Sequence, residues 1–354
     1  MRLSSVLSEA RRDIATGTTR LGTLAALLAL TSGLAGAADL AAVSALTRDA
    51  VGFVASGAAT RTAALEGGVD GTACDALTGH GDILAAGALR PGPAVTLDSL
   101  PGSSLTTFEI TPGLAALVAD SDGRAGAWLA PGLAERLGAA AGHDLRTADG
   151  PLHIAGVFRH PDDGRDSRLS SAVLLPGDSA EPFDECWARA WPQSETTDDL
   201  LRSTASSTAG SASSLSMGQL NATLGSISPS VAAHRERLTR WAPAMSASLA
   251  ALLGVASVRR RRLELSGALQ AGQSRSAQLA VIVVETSAWA VCGALIAVGI
   301  AAAPLLSGPG SLIDAPARLL VAAPIAGATS AILAAALTTL SIRRRDLVRW
   351  FKDR

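Results

Sequence analysis

The feature that most limits this chain is where its apolar residues sit. They gather into four blocks, Leu21 to Ala45, Trp241 to Val258, Leu279 to Leu306 and Ala317 to Ile342. A hydrocarbon core of ~30 Å is crossed by about 20 residues of helix, so each block is a candidate membrane span. The second is the shortest and carries Pro243. An apolar fraction of 48% would suit a soluble domain equally well. The clustering is what decides. The fold class expected is a membrane protein with four transmembrane α-helices and a mixed α+β extracytoplasmic domain between helices 1 and 2.

Charge sets the orientation. Between Asp39 and Arg235 there are 23 acidic residues against 12 arginines and no lysine, a balance of −11. The positive charge lies elsewhere: Arg2, Arg11, Arg12 and Arg20, then Arg259 to Arg262, then Arg343 to Arg345, Arg349, Lys352 and Arg354. Basic residues are held on the cytoplasmic side of membrane helices. Both termini and the turn after the second span are therefore expected in the cytoplasm, with the acidic region outside a cell membrane. Four crossings satisfy this and three would not. The basic runs do not point to nucleic acid, because each abuts a hydrophobic block.

The expected organisation is as follows. Residues 1–20 form a cytoplasmic amphipathic helix with Val6, Leu7, Ala10 and Ile14 on one side; a disordered leader is the alternative. Residues 21–45 are the first span, 46–230 the extracytoplasmic domain and stalk, and 231–258 the stalk end and second span. Residues 259–277 are a cytoplasmic loop, 278–306 the third span, 307–316 an outer loop, 317–342 the fourth span, and 343–354 a basic cytoplasmic tail. The first block has a rival reading. Basic residues, then LGTLAALLAL, then Ala35 and Ala37 also match a secretory signal peptide, whose cleavage would leave three spans.

Residues 46–230 are punctuated by Gly, Pro and Asp, with strand-like runs at Ala94–Leu97, Thr106–Ile110, His153–Phe158 and Ala172–Leu175. From Trp128 to Phe158 the pattern is strand, a helix from Pro131 to near Gly138, a strand after Gly142, a turn at Asp149-Gly150 and a further strand. Residues Ser194 to Ser230 are rich in Ser and Thr, and suit either a disordered linker or a polar helical stalk. Asn221-Ala222-Thr223 has the form of a glycosylation sequon.

Little here speaks for catalysis. There is no G-x-x-x-x-G-K-[ST] phosphate loop, so ATP hydrolysis by that route is excluded and no cofactor is expected on this chain. His80, His143, His153, His160 and His234 share no ligand spacing, and no metal site is expected. Asp162 to Asp166 reads as a solvated turn. Cys74 and Cys186 both fall in the outer region, where they can form a disulfide; free thiols are the alternative. Cys292 reads as a small packing residue within the third span. Glu285 is the unusual group. A carboxylate inside an apolar helix is expensive, so it faces protein or water. It either anchors the helix end by pairing with an arginine such as Arg275, or holds helices together at a moving interface. Gly293, Ala294, Ala297 and Gly299 follow it and permit close helix contact.

Arg259 to Gly293 also carries a family resemblance. A basic run followed by Glu, Gly, Arg and an intramembrane Glu resembles the loop and third span of FtsX/MacB-type ABC transporter permeases. Here these are Arg261-Arg262, Glu264, Gly272, Arg275 and Glu285. Where that family usually has Arg-Ala, this chain has Leu269-Gln270. A second likeness lies in the outer region: Arg136-Leu137-Gly138, Gly142-His143-Asp144 and Ala155-Gly156-Val157 are similar to a MacB-type pattern. The resemblance implies a permease subunit that is not itself an enzyme. ATP and Mg would be on a separate ABC ATPase subunit, and a second permease subunit, identical or not, would complete the pair. Leu263 to Ala271 would be the coupling helix, with Arg261, Arg262, Glu264, Leu265, Gly272 and Arg275 as its ATPase-coupling residues. The work done would be export, or mechanical activation of an extracytoplasmic protein. The reading from another class is a membrane-anchored binding or sensor protein with no ATPase.

Overall fold

The computed structural model describes residues 3–99, 102–119, 124–205, 214–226, 231–307 and 317–342. The basic tail 343–354, and the expected outer loop 307–316 apart from Ser307, lie outside the described residues. The chain begins with α1 (Leu3–Ala15) and α2 (Leu21–Ala55). There follow β1 (Thr60–Asp70), α3 (Gly71–Ala76), β2 (Ile83–Pro91), β3 (Val95–Thr96), β4 (Ser104–Leu105), β5 (Thr107–Ile110) and α4 (Pro112–Ala119). Next come β6 (Ala127–Leu129), α5 (Pro131–Leu137), β7 (Asp144–Thr147), β8 (Gly150–Val157), β9 (Val173–Pro176), β10 (Pro182–Ala190), α6 (Glu195–Ser203) and β11 (Ser216–Gln219). The chain closes with α7 (Val231–Glu236), α8 (Ala242–Arg260), α9 (Arg262–Gln270), α10 (Arg275–Ser307) and α11 (Ala317–Ser341). These fall into two units, Met1–Thr47 with Ala232–Arg354, and Arg48–Val231.

Among the described residues of the first unit four helices are long and apolar enough to cross a membrane: α2, α8 with the turn before it, α10 and α11. Pro243 sits in the first turn of α8, where its missing N–H costs nothing. The helices meet through small residues. A Cβ on Gly254 of α8 would lie 2.4 Å from the carbonyl oxygen of Ala331 of α11, and one on Gly293 of α10 would lie 2.8 Å from that of Ala25 of α2. Such backbone approach is how apolar helices associate where no hydrophobic force drives them together. Buried Ser246 adds polar links, 2.7 Å from Ser32 Oγ and 2.7 Å as donor to the Ala323 carbonyl. Gly293 and Ala297 are buried in these contacts, whereas Gly299 is exposed with open space around it. Cys292 is also exposed, so it does not pack among the described residues as expected. Asp39, the acid within the first block, is neutralised by Arg237 Nε at 2.9 Å. Gly254→Val is expected to lower the melting temperature of the detergent-solubilised protein, at a cost of about 1–3 kcal/mol from overpacking.

The second unit is built on a nine-stranded mixed sheet, ordered β11-β1-β10-β2-β5-β9-β6-β8-β7. The β5–β9 and β6–β8 pairs are parallel and the remaining pairs antiparallel. Alternation along β10 separates two cores. Cys186, Ala188 and Ala190 enter one, and Trp187 enters the other. Cys74 of α3 reaches Cys186 to form a disulfide, and both are fully buried. The Trp128–Phe158 stretch follows its expected order. Gly138 ends α5 in the left-handed region with φ +57°, and Ala139 N–H and Gly138 N–H close back on the Ala134 and Glu135 carbonyls.

The Ser/Thr-rich stretch differs from both expectations where it is described. Residues 195–203 form α6, whose Leu201 is fully buried in the core with Cys74, and residues 216–219 pair with β1 as an edge strand. Leu200, Leu201, Leu215 and Met217 pack against that core, which outweighs the weak local preference of Ser and Thr. Asn221 of the sequon is fully buried, and its side-chain amide donates to Ser56 and Asp163 carbonyls. Asp163 and Asp166 hold Arg165 and Arg168 rather than forming a free acidic turn.

This unit should lose stability in mild acid. Burial, more than the field of Arg165, holds the pKa of His160 below the usual imidazole value, with Nε2 2.7 Å from the Asp166 carbonyl oxygen. The unfolded chain takes up this proton as pH falls through about 6.5, while the folded ring resists. The stability contribution is therefore full above that pH and declines below it. Melting curves of this unit between pH 7.5 and about 5.5 are expected to slope less in His160→Gln than in the parent protein.

Candidate functional site

The site is the turn between α8 and α10. At Arg261 the backbone leaves the helical region, with φ −97° and ψ 12°, so the residue ends α8 and begins α9. Its N–H bonds the Val258 carbonyl and its own carbonyl accepts Leu265 N–H, so one residue serves two helix termini. The other end of α9 closes on Gly272, which has φ +96°. Gln273 N–H bonds the Ala268 carbonyl and Gly272 N–H the Leu269 carbonyl. That double closure needs a left-handed residue, which is why glycine stands there. Ser274 Oγ then accepts Ala277 N–H and starts α10.

The Arg261 side chain turns inward and is only 11% exposed. Its Nη1 donates to Glu285 Oε2 at 2.6 Å, its Nη2 to Asp13 Oδ2 at 2.6 Å, and its Nε and Nη2 hold both oxygens of Glu264 at 3.0 and 2.6 Å. One guanidinium thus joins α1, α9 and α10. Its planar fork of donors suits this role, which a lysine could not fill. The Glu285 side chain is 5% exposed. Its partner is Arg261, not Arg275, which is exposed. Ten residues of helix put Arg275 ~15 Å below Glu285, beyond side-chain reach.

Further contacts fasten α9. Leu265 and Leu269 pack with Val258, Ile282, Ala335 and Ile342. Gln278, 2% exposed, donates to the Leu265 carbonyl at 2.7 Å. On α1, Ala10 packs against Val281. Of the expected coupling residues, Arg261, Glu264 and the intramembrane Glu285 come together, and Leu265 is buried beneath them. Arg262, Gly272 and Arg275 stay on the exposed surface. Sequence reasoning missed Asp13 and Gln278. The one signal was that Glu9 and Asp13 are the only acids in an otherwise basic leader.

No family model matches this chain, and no curated protein matches it by sequence. Among solved structures it is similar to the extracellular domain of the noncanonic ABC-type transporter YknZ from Gram-positive bacteria, at 12% identity over 40% of this chain and 88% of that one, with a TM-score of 0.29. It is similar to the periplasmic region of MacB from Actinobacillus actinomycetemcomitans at 11% identity over 41% and 81%, with a TM-score of 0.31. A domain from Porphyromonas gingivalis matches at 15% identity over 50% and 96%, with a TM-score of 0.32.

Proposed function

We propose that this chain is the permease subunit of an FtsX/MacB-type ABC system, lying in the cell membrane with both termini in the cytoplasm. In this reading α9 docks on a separate ATPase subunit, which binds the ATP and Mg, and a second permease subunit completes the assembly. The observation that carries the reading is the inward Arg261. Through Glu285 and Asp13 it ties α9 to α10 and α1, and the Leu265–Leu269 core ties α9 to α8 and α11. A push on the exposed side of α9 is then passed to rigid helices instead of being absorbed by a loose loop. Arg262, Glu264, Gln270 and Arg275 lie on the exposed side that would face the ATPase. The output is export of a cargo or mechanical work on an extracytoplasmic partner.

The competing reading, a binding or sensor protein without an ATPase, draws on a cavity of about 530 Å³ in the second unit, lined by Leu117, Trp187 and Leu220 with Arg159 and His160. Purification of the tagged chain from its native membrane separates the two. The coupling reading expects an ABC ATPase to co-purify and to be lost with Arg262→Glu/Arg275→Glu. An ATPase absent from the parent preparation would favour the sensor, and one undiminished by the reversal would show that Arg262 and Arg275 are not where it docks.

A further inference from the structure

A second cavity, of about 430 Å³, opens within the first unit where α2 begins, α8 ends and α10 carries Glu285. Its volume falls in the range of small-molecule sites, ~300–1,000 Å³. Glu285 contributes an unusual wall. Its Oε2 takes Arg261, but its Oε1 is buried and has no hydrogen-bond partner among the described residues. The Thr19 hydroxyl, on a residue 8% exposed, is likewise buried without a partner. A buried polar atom left unpaired is costly, the more so when charged, so a donor is missing here. Arg20 and Arg260 line the same cavity, are exposed, and make no ion pair or side-chain hydrogen bond among the described residues. An apolar stretch of wall comes from Leu24, Leu27, Leu253 and Trp289, interspersed with the hydroxyls of Thr18, Thr23, Ser257 and Thr286.

These features specify a ligand with three parts: an anion for the two arginines, a hydrogen-bond donor for Glu285, and an apolar body. We propose that the cavity binds one phospholipid whose phosphate lies between Arg20 and Arg260 and whose headgroup hydroxyl or ammonium donates to Glu285 Oε1. Basic residues at the ends of membrane helices suit a lipid phosphate. An inorganic phosphate has no apolar body, and a choline headgroup has no N–H or O–H to offer. The proposal goes beyond the coupling reading and needs no ATPase, so each can fail without the other.

The test is native mass spectrometry of the purified full chain in detergent, titrated in turn with phosphatidylglycerol, phosphatidylethanolamine and phosphatidylcholine. One molecule of phosphatidylglycerol or phosphatidylethanolamine is expected to be retained, and whichever binds tighter names the donor as hydroxyl or ammonium. Phosphatidylcholine should bind about tenfold more weakly, and Arg20→Ala/Arg260→Ala should weaken the retained lipid by at least about tenfold, as loss of charge-assisted bonds requires. Glu285→Gln should abolish the preference over phosphatidylcholine. Because that change also disturbs Arg261, Thr19→Val is the companion variant, expected to melt no lower than the parent and to bind about two- to tenfold more weakly. Equal retention of phosphatidylcholine, unchanged binding by the double arginine variant, or displacement of the lipid by inorganic phosphate at equal concentration would each overturn the proposal.

Discussion

Arg261→Met is expected to destabilise the membrane unit by about 3–5 kcal/mol, because removing one partner leaves buried carboxylate charge uncompensated. Glu285 is affected most, since its side chain is 5% exposed and Arg261 is its one ion-pair partner among the described residues. Asp13 at 22% and Glu264 at 53% can recover water. The double variant Arg261→Met/Glu285→Leu should regain most of the lost stability, since an apolar pair of similar volume often replaces a buried ion pair without loss. Coupling should not return with it. The link from α9 to α1 through Asp13 is still absent, so under the proposed coupling reading ATPase turnover should remain uncoupled from movement of the outer domain. Thermal unfolding in detergent reads the first effect and turnover in proteoliposomes the second. A double variant as unstable as the single one would show that the ion pair is not what holds the turn.

The second large effect concerns the outer domain. Cys74 and Cys186 close a loop with a sequence separation of 112 residues. In the chain-entropy account a loop of this size contributes ~5 kcal/mol, by restricting the unfolded chain. Cys74→Ala/Cys186→Ala should therefore lower the unfolding transition of residues 48–231 by that order and leave the membrane helices little changed. Both sulfurs are fully buried between α3 and β10, so a reductant should free them only after this unit opens. Thiol counting under reductant, with and without denaturant, checks that. Ready reduction of the folded protein would count against a bridge inside the core.

Much of the fold was readable from the sequence because it rests on local rules. The apolar blocks became long helices, and the Gly138 and Gly272 helix ends use the left-handed region that a side chain disfavours. What could not be read depends on distant partners. Nothing local stops α2 at Ala45. Thr47, Arg48 and Asp49 mark a change of surroundings but do not break a helix, which continues to Ala55, just before Gly57 at φ +79°. The Ser/Thr-rich stretch was assigned neither strand nor packed helix because its fate was set by the distant edge strand β1 and by a core that also draws on residues as far back as Ala63 and Cys74. At the candidate site the arginine and the intramembrane glutamate were legible, but their pairing was not. Asp13 lies 248 residues from Arg261, and only the packing of α1 on α10 brings them together.

The coupling reading requires that α9 lie on the inner side of the membrane. In a Cys292→Ser background, Ala271→Cys on the exposed end of that turn and Ser170→Cys on the exposed surface of the outer domain can each be challenged with a membrane-impermeant maleimide on intact cells. The account predicts that position 170 labels at once and position 271 only after the membrane is permeabilised. Labelling of position 271 from outside would place the turn beyond the reach of any cytoplasmic ATPase and contradict the account.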